Sequence, residues 1–136
     1  MPDQLEYNLD LLCFEHGTKI PISRNEKNEN VIQKSLGVLE ENGIFAFILF
    51  LGAKGAFKNN NLKKEEKIAR NIKEKICELL KKQEINLLKD NINTNNQKEV
   101  IGAFRSIGEN LNKLFLAKML IEKTLIYALY HAKASD

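Results

Sequence analysis

Tryptophan is absent from these 136 residues, and histidine, cysteine and proline occur twice each. Two cysteines, Cys13 and Cys77, lie far apart and form no disulfide framework, which fits a reducing compartment rather than secretion. Two histidines, His16 and His131, leave little material for acid–base chemistry or for a metal cluster. The start of the chain (Met1, Pro2, Asp3, Gln4) lacks the basic region of a signal peptide. The longest unbroken apolar run, Ile44 to Leu51, is shorter than the about 20 residues that a hydrocarbon core requires. The expectation is therefore a cytoplasmic protein with no membrane partner. The missing tryptophan, beside abundant Asn, Lys, Glu and Ile, reflects coding bias and carries no functional information.

What remains is ordinary for a globular chain: 43% hydrophobic and 29% charged residues. The length suits one domain over residues 1–136, with 1–30 partly loop, and buries about two-thirds of the unfolded surface without disulfides or metals. The charge is unevenly spread. Residues 1–53 hold four basic and eight acidic side chains, residues 54–89 eleven basic and five acidic. An acidic first third thus adjoins a basic middle, within a net charge of only +3. Such polarity suits anion binding or head-to-tail self-association, and a solvated lysine-rich helix produces it too.

Nearly every periodic segment reads as helix, so the predicted fold is all-α, a compact bundle of about five helices. Leu5, Leu9, Leu12 and Cys13 follow i, i+4, i+7, i+8 spacing, predicting a helix over 3–16 that stops at Gly17. Proline restricts its predecessor, so Ile20-Pro21-Ile22 is extended or turning, and the polar string Ser23 to Asn30 reads as a loop. Val31, Ile32, Ser35, Leu36 and Leu39 form a stripe ending at Asn42-Gly43, where glycine can take the left-handed position after a helix. The run from Ile44 is short enough for a strand. Its Leu, Phe and Ala content and the lack of a second strand favour a buried helix. Residues 62–84 form the clearest amphipathic helix, with Ile68, Ile72, Ile76, Leu79 and Leu80 on one face. The Asn-rich stretch Asn86 to Gln97 is a surface loop. From Lys98 to Lys133 there is one very long helix or two. A break falls near Ser106-Ile107-Gly108-Glu109, where Ser106 and Glu109 have capping-box spacing.

Catalytic arrangements are missing. No serine stands in a nucleophile-elbow context, and Gly52-Ala53-Lys54-Gly55 lacks the spacing and the hydroxyl of a phosphate-binding loop. Glu40-Glu41 and Glu65-Glu66 are adjacent carboxylates that point to different helical faces. Cys13 and His16 are three apart on one helix, and Cys77 with His131 could complete a zinc set. Structural zinc sites pair their ligands locally at both ends, however, and here the second pair is widely split. Two buried thiols and two surface imidazoles are the simpler expectation. The reading is a non-enzyme with no catalytic residue, no metal, no cofactor and no small-molecule substrate.

Aromatic residues can stack on single-stranded nucleic acid, but Phe45, Phe47, Phe50, Phe104 and Phe115 lie on apolar stripes and are assigned to the core. Phe57, Tyr127 and Tyr130 have the better claim to exposure, although capping the core is the expected role for them. The basic cluster fits contact with a phosphate backbone, which carries no sequence information. Its members are Lys54, Lys58, Lys63, Lys64, Lys67, Arg70 and Lys81.

Lys34 to Phe47, a short helix, Asn-Gly and an apolar helix with Ala46-Phe47, resembles a segment of the Cmr-type small helical subunit of type III CRISPR RNA-guided effector complexes. Lys118 to Ala134 is similar to that family's last helix, with Tyr127 or Tyr130 where a tryptophan is expected. The resemblance implies a non-catalytic subunit in antiviral defence that stacks on copies of itself and on other effector subunits. It also implies contact with guide or target RNA, here through the seven basic residues just named. The competing expectation is a helical adapter or regulator that dimerises, binds another protein and touches no nucleic acid.

Overall fold

Five helices and no strand account for the ordered elements of a computed structural model that describes residues 2–21 and 26–134, with side chains for 9–21 and 29–134. They are α1 (Pro2–Thr18), α2 (Glu26–Ala53), α3 (Lys64–Lys81), α4 (Gln97–Gly108) and α5 (Leu111–Ala134). The all-α expectation holds. α5 packs along α1 and α2, α3 lies against α2 and α1, and α4 closes on α2 and α5. Core side chains come from all five helices, among them Cys13, Leu39, Phe47, Ile72, Phe104 and Leu125.

Several boundaries differ from the sequence reading, each for a local reason. α1 runs through Gly17 to Thr18 because that glycine is a contact residue, not a stop. A Cβ there would meet the Thr124 carbonyl oxygen at 2.5 Å, so α1 and α5 approach through it. The end of α1 is closed by the Thr18 hydroxyl, which donates to the Phe14 carbonyl at 2.8 Å. Helix α2 already covers residues 26–30, which the sequence assigns to a loop; Ile22 to Asn25 lie outside the described residues.

Asn42-Gly43 breaks α2 without adding a loop. Gly43 has φ 89° and ψ −174°, an extended left-handed conformation open essentially to glycine alone, and not the left-handed helical cap expected. The run beyond it is helical, with Ile44, Phe47, Ile48 and Leu51 in the core. Joined across the kink, Glu29–Ala53 is long and apolar enough to cross a membrane by length and composition, although the unbroken run alone is not. In the bundle it packs on α5 and α3, with 28% of its most apolar window buried. Much of its apolar surface therefore remains uncovered.

The break between the last two helices is real, but its cap is not the predicted one. The Ser106 hydroxyl donates back to Gly102 within α4, and Asn110 caps α5 by accepting from the Lys113 N–H at 3.0 Å. Asn96 caps α4 in the same way, accepting from the Glu99 N–H. Helix α3 stops at Lys81 rather than at residue 84. Lys82 turns to ψ 140°, and the Leu80 carbonyl accepts the N–H groups of Leu87 and Leu88.

Two burial assignments are corrected. Phe47 and Phe104 are in the core and Phe50 is half-buried, whereas Phe45 and Phe115 are 46% and 60% exposed. Both thiols are buried, yet His16 is only 5% exposed and is not a surface imidazole. Burial pushes the Cys77 thiol up to about 11, and burial raises Cys13, whose Sγ lies 3.5 Å from the Leu120 carbonyl oxygen. Among the described residues no three His, Cys, Asp or Glu side chains gather as a metal set.

Candidate nucleic-acid interface

Helix α3 presents the predicted basic face, and the structure divides its members by what each side chain meets. At its start Lys63, in extended conformation, donates its N–H to the Glu66 carboxylate at 2.8 Å. The reciprocal half of a capping box is missing, because an ammonium has no acceptor. The other Glu66 oxygen receives the Lys58 ammonium at 2.7 Å. These donors, Lys58 before the Lys63 N–H, hold the Glu66 carboxyl below its ordinary value.

The Lys63, Lys64 and Lys67 side chains are exposed, and none has a hydrogen-bond or ion-pair partner among the described residues. Cations at the positive end of a helix dipole do not favour the helix, so their placement is not explained by local stability. The remaining four predicted residues are engaged. Lys58 is tied to Glu66, and Arg70 bonds Glu74 at 3.1 Å and the Lys58 carbonyl at 3.3 Å. Lys54 sits 5.6 Å from the centroid of the Phe50 ring. Lys81 is half-buried, its ammonium donating to the carbonyls of Ile92 at 2.8 Å and Asp90 at 3.3 Å. It fastens the Asn-rich loop to α3. The structure thus brings the seven residues onto α3 and the segment before it, while leaving only three of them uncommitted.

The sequence reading passed over Lys73, which is fully buried. Its ammonium donates to the Thr94 carbonyl at 2.7 Å and the Asn95 side-chain oxygen at 3.3 Å, with the Phe57 ring 5.1 Å away. Burial lowers its pKa. A signal was available: Lys73 lies four residues from Ala69 and from Cys77, both in the core, and so sits on the apolar face.

A second surface was also missed. Leu111, Phe115 and Met119 recur at i, i+4, i+8 on α5, between 49% and 63% exposed. Phe45 and Leu49 are exposed one turn apart on α2, at 46% and 54%. The Phe45 ring lies against Gly108 at the end of α4, leaving no room there for a Cβ.

Elsewhere the sites are structural. Asp10 of α1 accepts from the Tyr127 hydroxyl and the Lys123 ammonium of α5, both at 2.6 Å. Those bonds, Lys123 first, hold the Asp10 carboxyl below its usual range. Phe14 meets Tyr127 edge-on beside them, and Tyr130 is exposed further along. No family model, curated protein or solved structure matches this chain.

Proposed function

We propose that the protein is a non-catalytic assembly subunit of a nucleoprotein complex, contacting a phosphate backbone through Lys63, Lys64 and Lys67 and its neighbours through the apolar stripes of α2 and α5. The observation that carries this reading is the coexistence of three uncommitted lysines at the start of α3 with the five exposed large apolar side chains of the α2 and α5 stripes. One surface suits a polyanion and the other a protein, and a small subunit inside a filament needs both. The resemblance to the small subunit of type III CRISPR effectors supplies a role of that kind: copies stacked beside a guide–target duplex, in the cytoplasm. Lys54, Lys58, Arg70 and Lys81 belong to the same basic region in this reading. The bonds of Lys58 and Arg70 to Glu66, Glu74 and the Lys58 carbonyl brace the start of α3, while Lys54 lies over Phe50 and Lys81 holds the following loop.

The test pairs two measurements. Reversing Lys63, Lys64 and Lys67 to Glu weakens retention of single-stranded RNA, and the slope of log K against log salt becomes shallower by about 2, since each phosphate contact contributes about 0.7. Phe115→Ser leaves RNA binding intact but reduces self-association in light scattering. A helical adapter without nucleic acid is favoured by one observation, the self-pairing of Lys58 and Arg70. It predicts association that depends on Phe115 and no salt-dependent RNA binding at all.

A further inference from the structure

At the C-terminal ends of α1 and α3 lies a cavity of about 380 Å³, within the size range of small-ligand sites. Among the described residues four lysines line it, Lys19, Lys75, Lys81 and Lys82, against two carboxylates, Glu78 and Asp90. Lys75 and Glu78 pair at 3.0 Å and cancel. Lys81 gives two of its protons to loop carbonyls and keeps a third. Lys19 and Lys82 are exposed, with no partner among the described residues. The described lining residues carry two net positive charges. The two helix ends each contribute about half a negative charge, so the cavity stays positive by about one.

His16 adds a specific element. The imidazole is 95% enclosed, and its Nδ1 lies 2.7 Å from the Leu12 carbonyl oxygen. A carbonyl can only accept, so Nδ1 carries the hydrogen and Nε2 is left with its lone pair in the neutral ring. Nε2 has no protein partner among the described residues, where no fully buried side-chain nitrogen or oxygen goes unpaired. His16 lines the cavity, and with Nδ1 committed to Leu12, Nε2 is the ring nitrogen left for a ligand there.

An anion held by the lysines meets that lone pair, and one hydrogen must lie between them. Inorganic phosphate and phosphate monoesters can share it, because their second ionisation falls near neutrality, at about 6. Either the P–OH group donates to Nε2, or the proton passes to the ring and Nε2–H donates to the ionised oxygen. The total of protons is the same in both forms. A phosphodiester or a sulfate brings no proton at neutral pH and opposes an anionic oxygen to a lone pair.

We propose that this cavity binds a terminal phosphate group, either free phosphate or the monoester of a small molecule or a chain end, and discriminates against diesters and sulfate. The proposal does not rest on the backbone-contact reading, since Lys63, Lys64 and Lys67 do not line the cavity. Inorganic phosphate titrated at pH 7.5 shifts the His16 imidazole signals saturably in nitrogen-15 NMR. Sulfate at equal ionic strength binds weaker by about tenfold or more, the worth of one hydrogen bond to a charged group. Adenosine 5′-monophosphate and a 5′-hydroxyl RNA oligonucleotide separate monoester from diester, with only the former moving His16. The exposed pair Lys19→Glu and Lys82→Glu weakens phosphate binding by about tenfold or more while the circular dichroism spectrum is kept. Lys98→Glu, away from the cavity, changes nothing. Absence of a saturable phosphate shift overturns the proposal, as does sulfate binding equal to phosphate or a double variant that binds like the parent.

Discussion

The two ends of α3 carry the same residue type on the same helix and do opposite things. At the first turn Lys63, Lys64 and Lys67 extend into solvent without partners among the described residues. From the middle onward Lys73 and Lys81 turn inward and hold the loop of residues 82–96 by its carbonyls. The difference lies in what stands opposite. The loop after α3 offers backbone carbonyls to Lys73 and Lys81, whereas the segment before α3 engages Glu66 and Arg70 and leaves Lys63, Lys64 and Lys67 aside. A lysine that finds partly buried loop carbonyls opposite becomes a structural donor, because a half-buried acceptor left unpaired costs more than an ordinary hydrogen bond contributes. A lysine facing water stays available for a ligand.

The sharpest way to break the comparison is at Lys73. Lys73→Ala leaves the Thr94 carbonyl unpaired and a gap under Phe57, and lowers stability by about 2–4 kcal/mol in urea unfolding. Lys64→Ala stays within about 0.5 kcal/mol. Equal effects of the two would end the distinction. Lys81→Ala sits between them. It lowers stability by about 1 kcal/mol, and it exposes the loop to limited proteolysis while RNA retention changes far less than in the variant reversed at the three free lysines. The smallest effect falls on the α1–α5 contact, where Asp10 is well exposed. Its folded pKa is depressed, so its contribution is fully present above the unfolded value of 3.8 and fades as pH falls through the lower folded value. At neutral pH, Asp10→Asn costs at most about 1 kcal/mol, and the difference from the parent vanishes at the acid end of a denaturation series.

Aromatic residues repeat the lesson of the lysines. Phe45 and Phe47 are two apart in one apolar run, and only Phe47 reaches the core. Periodicity shows that the run is helical and apolar all round, which in isolation reads as complete burial. Which side stays uncovered depends on how many neighbours the helix has. α5, α3 and α4 cover part of α2, with the Phe45 ring against Gly108 of α4, and Phe45 and Leu49 remain about half exposed. The same limit hid the stripe of Leu111, Phe115 and Met119, which has the spacing of a core face and lies in solvent. Gly17 looked like a helix stop because only the chain of α5, more than a hundred residues away, shows that the missing Cβ makes room for a carbonyl.

The sequence by itself determined the all-α class, the break at Gly43, the apolar face of α3 and the break near residue 108. These follow from periodicity and from single-residue backbone preferences, which act over a few neighbouring positions. Only the tertiary structure decided which lysines have no partner among the described residues, that His16 is enclosed beside a cavity, and which apolar side chains stay outside. Each of those outcomes depends on partners distant in the chain, Thr94 for Lys73, Ile92 for Lys81, Tyr127 for Asp10, and α3 for the His16 cavity. A local pattern fixes the face on which a side chain stands, but the charge or carbonyl that meets it arrives only when the helices pack.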